Sequence, residues 1–140
     1  FSLQGQRFGK PVANRIEPGK RPRSSMAPMM VFNRDGSLKY VLGSPGGSRI
    51  INYVAQTLIG MIDWQLAPQD AVNLGHVTNR NKITTLEKGS EVSSLSTKLQ
   101  KMGHKVAIKD LNSGLHVIEV TKEGLIGGAD PRREGLVVTQ

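Results

Sequence analysis

The stretch GSPGGSR at residues 43–49 most constrains how this chain can fold, because three of its seven residues are glycine and one is proline. Residues 38–42 have strand character, and apolar residues recur at spacings of three and four after Ser48. A strand that ends here, and a helix with Ser48 as its N-cap, place unpaired backbone N–H groups at the positive end of a helix dipole. Gly46 and Gly47 have no Cβ atom, so a ligand can approach those N–H groups closely.

Three interpretations of this glycine turn are open at the level of sequence. The first is a plain turn from strand to helix. The second is an oxyanion hole, in which the consecutive N–H groups of Gly46 and Gly47 converge on one oxygen atom. The third is nucleotide binding, which requires Gly-x-x-x-x-Gly-Lys-Ser/Thr or Gly-x-Gly-x-x-Gly, and the stretch matches neither pattern. The turn therefore favours a structural turn or a simple anion site.

The positive charge of the chain is concentrated at its N-terminus. The chain has 140 residues and a formal net charge of +8. Residues 1–23 contain six basic residues and one acidic residue, Glu17, which gives this segment a net charge of +5. Phe1 and Phe8 are its only aromatic residues, so it has few of the stacking side chains typical of single-strand binding. The length predicts one domain, and the charge distribution predicts no nucleic-acid partner.

The sequence also predicts no cofactor, metal ion or membrane span. It contains no cysteine, which excludes disulfides, thiolate zinc sites and cysteine nucleophiles. Its histidines, His76, His104 and His116, lie too far apart in sequence for a His-x-x-x-His metal site. No apolar run approaches the roughly 18 residues that a transmembrane helix needs.

Hydrophobic periodicity predicts an α+β protein. Glycine, proline, glutamine and arginine dominate residues 1–25, which predicts an extended arm or long loop. The remaining pattern predicts the order β-β-α-α-β-α-β-β-β, joined by hairpins instead of repeated crossovers, and hence antiparallel sheets. The predicted strands are 29–32, 38–42, 83–87, 106–108, 115–120 and 124–126, and the predicted helices are 48–64, 68–74 and 93–102.

A second candidate site is the stretch PGKRPRSSM at residues 18–26. Its two prolines favour an extended backbone, and the hydroxyls of Ser24 and Ser25 suit a carboxylate or amide ligand. Neither serine has a base beside it in sequence. The pair therefore predicts substrate contacts or a polar entrance to a strand, but not a nucleophile.

Near the C-terminus, Asp130 and Arg132 stand two residues apart in the stretch DPRRE. A carboxylate and a guanidinium at this spacing can pair across a turn. We expect a buried contact that fixes the C-terminal segment, in preference to a substrate site.

Three stretches in this order, PGKRPRSSMAP, GSPGGSRII and GGADPRREG, resemble the small catalytic subunit of gamma-glutamyltranspeptidases. The resemblance covers nearly the whole chain. It implies a four-layer αββα fold of the N-terminal-nucleophile hydrolase type, with antiparallel sheets. Residues 1–25 would then be an arm that leads to the substrate site, and residues 26–140 the C-terminal portion of the catalytic small-subunit domain.

The resemblance also implies a chemistry. Such enzymes transfer a γ-glutamyl group from glutathione or related amides to water, amino acids or peptides, through a threonine nucleophile that autocatalytic cleavage of a zymogen exposes. It implies that Gly46 and Gly47 form the oxyanion hole and that Ser24 and Ser25 hold the γ-glutamyl substrate. The nucleophile and a large subunit would lie outside this chain, in a periplasmic or extracellular enzyme. The alternatives are a related acylase of the cephalosporin acylase type and a non-catalytic basic anion-binding module.

Overall fold

The computed structural model describes residues 2–22 and 24–138. The helices in these residues are α1 (Ile50–Ile62), α2 (Pro68–Asn73) and α3 (Ser96–Lys101). The strands are β1 (Gln6–Arg7), β2 (Lys10–Pro11), β3 (Met29–Phe32), β4 (Leu38–Gly43), β5 (Val77–Asn79), β6 (Ile83–Glu87), β7 (Lys105–Lys109), β8 (His116–Val120) and β9 (Leu125–Ala129). Of the helices in the described residues, none has the length and hydropathy to cross a membrane.

Strands β3, β4, β8 and β9 form an antiparallel sheet in that spatial order. The predicted hairpin of β3 and β4 is confirmed, and it turns near Gly36, whose φ of 85° suits glycine. Strand β8 lies beside β4, with Leu42 opposite Val117. This long-range pairing places the C-terminal hairpin of β8 and β9 next to the strand that leads into the glycine turn.

One face of this sheet is buried under α1 and α2. Tyr40 and Leu42 of β4 and Val117 of β8 point to this face, and each is at most 4% exposed. Burying a side chain of this size contributes about 1.5–3 kcal/mol, so the packing holds both helices on the sheet. These three side chains belong to one buried hydrophobic cluster. Its other members are Ile50, Tyr53, Val54, Met61, Ala71, Val72 and Leu115.

The opposite face of the sheet is apolar and exposed. Met30, Ile118 and Leu125 are 64%, 43% and 69% exposed. Val137 covers part of this face above Gly127, where a Cβ atom would lie 2.7 Å from Val137 Cγ1. A sheet with two apolar faces is suited to lie between a helical layer and a second sheet. The described residues thus form one helical layer and one sheet layer of the expected four.

A second, three-stranded sheet departs from the predicted element order. The sequence does not predict β5, because its three residues are too few and too polar to show a period. Strand β5 pairs with β6 in antiparallel fashion, whereas β6 pairs in parallel with β7. The parallel pair requires a crossover, and here a 3₁₀ turn, Glu91–Leu95, leads into α3. The antiparallel prediction therefore holds for the main sheet but not for this pair.

The N-terminal arm has little regular structure in the described residues. Strands β1 and β2 form a short hairpin around Phe8 and Gly9, whose φ angles are 53° and 71°. One isolated bridge joins Ser2 to Arg15. The arm beyond it reaches β3 without a further strand or helix in the described residues.

We expect Gly128→Ala to destabilise the fold. A Cβ atom at Gly128 of β9 would lie 2.8 Å from the backbone carbonyl group of Pro68 in α2, and backbone atoms cannot move aside as a flexible side chain can. Overpacking of this kind lowers the free energy of unfolding by about 1–3 kcal/mol. Denaturant unfolding of the purified protein measures the change. Gly5→Ala is the matched control, because no atom lies within 4 Å of its Cβ position, and equal midpoints for both variants would contradict the packing of β9 on α2.

Candidate active site

Four loops meet at one end of the main sheet. Strand β3 begins opposite Leu42, β8 begins opposite Gly43, and β9 ends opposite His116. Because neighbouring strands run in opposite directions, β3 and β8 start at the level where β4 and β9 stop. The loops at this level are residues 24–28, 44–49, 111–115 and 130–135. Both candidate sites and the DPRRE stretch therefore share one end of the sheet.

The glycine stretch forms the turn from β4 into α1. Gly46 and Gly47 have φ angles of 137° and 57°, both in the region that favours glycine. Gly47–Arg49 form one 3₁₀ turn, which starts where the Arg49 N–H donates to the Gly46 carbonyl oxygen at 3.3 Å. The predicted strand-turn-helix unit is confirmed.

The predicted N-cap of α1 is wrong. Helix α1 begins at Ile50, its N-cap position is Arg49, and no side chain caps it. Ser48 lies inside the preceding 3₁₀ turn. The reason is that the 3₁₀ turn occupies Gly47–Arg49, so the α-helix starts only at Ile50.

The N–H groups of Gly46 and Gly47 have no hydrogen-bond acceptor among the described residues. The hydrogen bonds among the described residues include none from either group. No atom lies within 4 Å of the Cβ position of Gly47, which is exposed. Two consecutive unpaired donors that precede a helix can stabilise a negatively charged oxygen. An oxyanion hole needs donors of this kind.

Tyr53 of α1 lies beneath the turn. A Cβ atom at Gly46 would lie 2.7 Å from Tyr53 Cε2, so glycine is needed here for packing as well as for its φ angle. The Tyr53 ring in turn contacts His76, with ring centroids 4.3 Å apart. Burial raises the pKa of Tyr53, which keeps its phenol neutral. The turn therefore rests on a rigid aromatic support.

The loop before β8 supports the other side of the turn. The Gly114 N–H donates to Ser44 Oγ at 3.2 Å. A Cβ atom at Gly114 would lie 2.6 Å from Pro45 Cγ and 2.7 Å from Arg133 Cδ. Only glycine at this position lets the loop, the proline of the turn and the C-terminal segment approach so closely.

A buried polar chain lies behind this loop. Ser113 Oγ donates to Asp130 Oδ2, and the Leu115 N–H donates to the same oxygen at 3.0 Å. Since the serine proton is directed at Asp130, His76 Nε2 must donate to Ser113 Oγ, at 2.6 Å. Nδ1 of His76 is buried without a partner among the described residues. This serine cannot act as a nucleophile, because it is fully buried and its proton is held by the carboxylate.

Arg132 fixes the C-terminal segment, as predicted. Its guanidinium donates to both carboxylate oxygens of Glu87, at 2.5 and 2.7 Å, and to Asp130 Oδ1 at 3.1 Å. It also donates to the carbonyl oxygens of Val72 and Leu74, at 3.1 and 2.9 Å, where α2 ends. Burial alone would raise the pKa of Glu87 and Asp130, but the hydrogen bonds that they accept outweigh it and lower both pKa values. Both carboxylates therefore stay ionised.

Ser24 and Ser25 lie at the same end of the sheet as the glycine turn. Ser24 is exposed, and its Oγ accepts a hydrogen bond from the Met26 N–H at 3.1 Å. Ser25 is half-buried. Among the described residues, no hydrogen bond joins either serine to the glycine turn. The described residues likewise contain no group of three acidic or histidine side chains that could hold a metal ion.

The sequence does not identify Tyr53, His76 or Ser113 as parts of this site. Their sequence neighbourhoods show a helix, a loop and a turn, and none of these patterns indicates which loops come together. His76 stands out because it is fully buried, and burial cannot be seen in the sequence. An isolated histidine in a sequence is equally compatible with an exposed surface.

Known proteins resemble this chain in sequence. A family model for gamma-glutamyltranspeptidase matches residues 2–139. The chain is 40% identical over 123 residues to the glutathione hydrolase proenzyme of Escherichia coli (strain K12), an alignment that covers 86% of this chain and 21% of that protein. It is 34% identical to the acylase ACY 1 proenzyme of Pseudomonas sp. (strain V22), with coverages of 81% and 20%. The chain thus spans about a fifth of the length of these relatives.

Solved structures resemble it in fold. An acivicin-inhibited gamma-glutamyltranspeptidase superposes with a TM-score of 0.77 at 33% identity, over 88% of this chain and 68% of that chain. The enzyme of that name from Pseudomonas nitroreducens, in complex with L-DON, gives 0.77 at 32% identity, over 92% and 69%. Cephalosporin acylase from Bacillus halodurans gives 0.77 at 25% identity, over 89% and 24%. These likenesses confirm the predicted α+β fold of the N-terminal-nucleophile hydrolase type.

The buried imidazole makes the protein sensitive to acid. Burial, with the nearby charge of Arg132, lowers the pKa of His76 from 6.5 to about 4. Above pH 6.5 the imidazole is neutral in the folded and the unfolded chain. Between pH 6.5 and 4 only the unfolded chain binds this proton, so the free energy of unfolding falls by up to about 1.4 kcal/mol per pH unit because of His76.

His76→Gln removes the titrating group and should flatten this decline between pH 6.5 and 5, where Glu87 and Asp130 stay ionised. The measurement is thermal or denaturant unfolding across that range. His104→Gln changes an exposed histidine and is the control that should keep the wild-type slope. A wild-type slope in His76→Gln would show that another group is responsible.

Proposed function

Because the chain belongs to the gamma-glutamyltranspeptidase family, we propose that it is the part of such an enzyme that stabilises the oxyanion and holds the substrate. The observation that supports this role best is the pair of unpaired N–H groups at Gly46 and Gly47. The buried residues around them keep the pair in place while the reaction proceeds. A preorganised donor of this kind is worth about 2.7–4 kcal/mol of transition-state stabilisation.

In the proposed reaction, a threonine hydroxyl attacks the γ-carbonyl carbon of a γ-glutamyl amide. The hydroxyl proton passes to the α-amino group of the same threonine, and the carbonyl oxygen becomes the oxyanion of a tetrahedral intermediate. When the intermediate collapses, the departing amine takes that proton and a γ-glutamyl threonine ester remains. Water or the amine of an amino acid then cleaves the ester through a second oxyanion. Gly46 and Gly47 would donate to the oxyanion in both halves of the reaction.

The nucleophile in this proposal comes from outside the chain. A threonine that uses its own α-amino group must be an N-terminal residue, and all seven threonines of this chain lie at interior positions. The relatives are named proenzymes, which supports a precursor whose processing creates such a terminus elsewhere. The exposed apolar face of the main sheet supports packing against that remaining part, which would include the large subunit.

The proposed substrate is a small γ-glutamyl compound. Ser24 and Ser25 offer hydroxyls at the same end of the sheet as the oxyanion donors, and we assign them to the glutamyl end of the substrate. Glutathione is the first donor to test, because the glutathione hydrolase of Escherichia coli is more similar to this chain than the acylase is, at 40% against 34% identity. A periplasmic or extracellular location is part of the proposal and is tested by cell fractionation.

Gly47→Ala should remove activity and keep the fold. The added methyl group stands in open space next to the two N–H donors, since no protein atom lies within 4 Å of it, and we expect it to keep the oxyanion away from them. Because a displaced oxyanion loses its contact with at least one donor, we expect kcat of the complete enzyme on a γ-glutamyl anilide to fall by roughly 10²–10³.

Gly36→Ala is the matched control for this variant. Gly36 also has a positive φ, 85° against 57°, and also has no atom within 4 Å of its Cβ position. Both alanines thus carry a similar backbone cost of about 1–2 kcal/mol, but only one is near the donors. Equal kcat values for the two variants would remove Gly47 from the oxyanion hole.

The double variant Ser24→Ala and Ser25→Ala should weaken substrate capture. Each lost hydrogen bond to a charged group is worth about 1.5–3 kcal/mol, so we expect KM for the γ-glutamyl donor to rise at least about tenfold with a smaller change in kcat. Steady-state kinetics of the complete enzyme measures both constants. Ser94→Ala, an exposed serine of the crossover, is the control. An unchanged KM in the double variant would exclude the pair from the substrate site.

A further inference from the structure

A pocket with a basic lining lies on the three-stranded sheet, outside the residues assigned to the reaction. Its volume is about 190 Å³. The residues of its lining that bear on its chemistry are Arg49, Arg80, Lys82 and Lys109, with the hydroxyl side chains Thr78 and Thr85. The backbone brings them together: Arg49 stands at the start of α1, and the others belong to β5, β6, β7 and the β5–β6 turn.

The charge of this pocket is not balanced by the described residues. Of the residues that the structure describes, no acidic one lines it. The ion pairs among the described residues involve Arg15, Lys20 and Arg132, and none involves a basic residue of the pocket. Glu87 lies on β6, but its carboxylate is occupied by Arg132 on both oxygens. Four like charges around one small space repel one another unless an anion lies between them.

Arg49 supplies an independent sign of a missing acceptor. Its Nε is buried, and it has no hydrogen-bond partner among the described residues. A guanidinium is always charged at neutral pH and has no acceptor capacity, so its buried N–H needs an oxygen atom nearby. Buried donors without a partner are rare in proteins and destabilise the fold unless a ligand, ion or water satisfies them.

The threonines provide a second kind of contact. Thr78 and Thr85 are direct cross-strand partners in β5 and β6, so their side chains lie side by side on one face. They are 2% and 7% exposed and both line the pocket. Hydroxyls at the base of a basic pocket can donate to the oxygens of an anion that the cationic groups above them attract.

We propose that this pocket binds a small multivalent oxyanion, one that carries phosphate or several carboxylate groups. Four cationic side chains and two hydroxyls exceed the contacts that a single monovalent anion can satisfy, which favours a multivalent ligand. The pocket volume equals that of about six liquid water molecules at ~30 Å³ each, which is enough for a small ion. The absence of an aromatic side chain from its lining also disfavours a nucleobase.

The test uses the complete protein that contains this chain and measures its thermal midpoint against inorganic phosphate and, separately, against citrate. Sodium chloride at matched ionic strength separates site binding from general screening. Specific binding raises the midpoint with the logarithm of the anion concentration once that concentration exceeds the dissociation constant, and it leaves the chloride series flat. A phosphate response without a citrate response identifies a phosphate ligand, and the reverse identifies a polycarboxylate.

The informative variant is Arg80→Gln with Lys82→Gln, since both side chains are exposed and their replacement leaves the core intact. The matched control is Arg34→Gln with Lys122→Gln, which removes the same charge from exposed turns outside the pocket. We expect the apparent dissociation constant to rise by about tenfold or more in the first variant and to stay within about twofold of wild type in the second.

Hydrolysis of a γ-glutamyl anilide in the absence of added anion should persist in both double variants, so a failure of this proposal is distinguishable from a failure of the proposed reaction. A midpoint of the wild-type protein that rises no more with phosphate or citrate than with chloride would overturn the proposal, and would indicate that a carboxylate from the rest of the protein fills the pocket. The proposal is also overturned if the two double variants bind the anion with equal apparent dissociation constants.

Discussion

The buried carboxylate of Asp130 is the interaction on which the candidate active site depends. It accepts hydrogen bonds from Ser113, from the Leu115 N–H and from Arg132. These donors come from the loop before β8 and from the C-terminal segment, so one charge joins the two parts of the chain that lie behind the glycine turn. Removing one partner of such a buried pair leaves an uncompensated charge, which costs about 3–5 kcal/mol. The C-terminal segment is therefore a structural element of the site.

This arrangement explains why a flexible sequence can form a rigid turn. Gly46 rests on Tyr53, and Gly114 bonds to Ser44 while it contacts Pro45. Glycine by itself costs conformational entropy on folding, and the contacts made by packing on both sides offset that cost and hold the turn in one arrangement. An oxyanion donor is effective only if it is oriented before the charge develops, so the same packing serves stability and the proposed chemistry.

The described residues form a structural unit that is complete on one side only. The helical face of the main sheet is buried, whereas Met30, Ile118 and Leu125 on the other face are exposed. The chain spans about a fifth of the length of its curated relatives, and the apolar face is the surface that the remaining layers of this fold require. Donors at the sheet end and a nucleophile on another part of the protein would then meet at the boundary between these layers.

Local patterns determined much of the fold in advance. The β3–β4 hairpin, α1, α2 and the strand-turn-helix unit follow from hydrophobic period, turn residues and proline position, because each depends on interactions within a few residues. The Asp130–Arg132 contact was predictable for the same reason. By contrast, the β6–β7 parallel pair, the short β5 and the start of α1 depend on distant partners or on glycine backbone angles, which no local period records.

The sequence by itself determined the residue types of the site: two glycines that can present N–H groups, two adjacent serines, and a charged C-terminal stretch. Only the tertiary structure decided that these stretches meet at one end of the main sheet, and that His76 and Ser113 belong behind them. The physical reason is that β8 pairs with β4 across a long stretch of chain, and the energy of that pairing comes from burial between elements, which sequence patterns within one element do not contain.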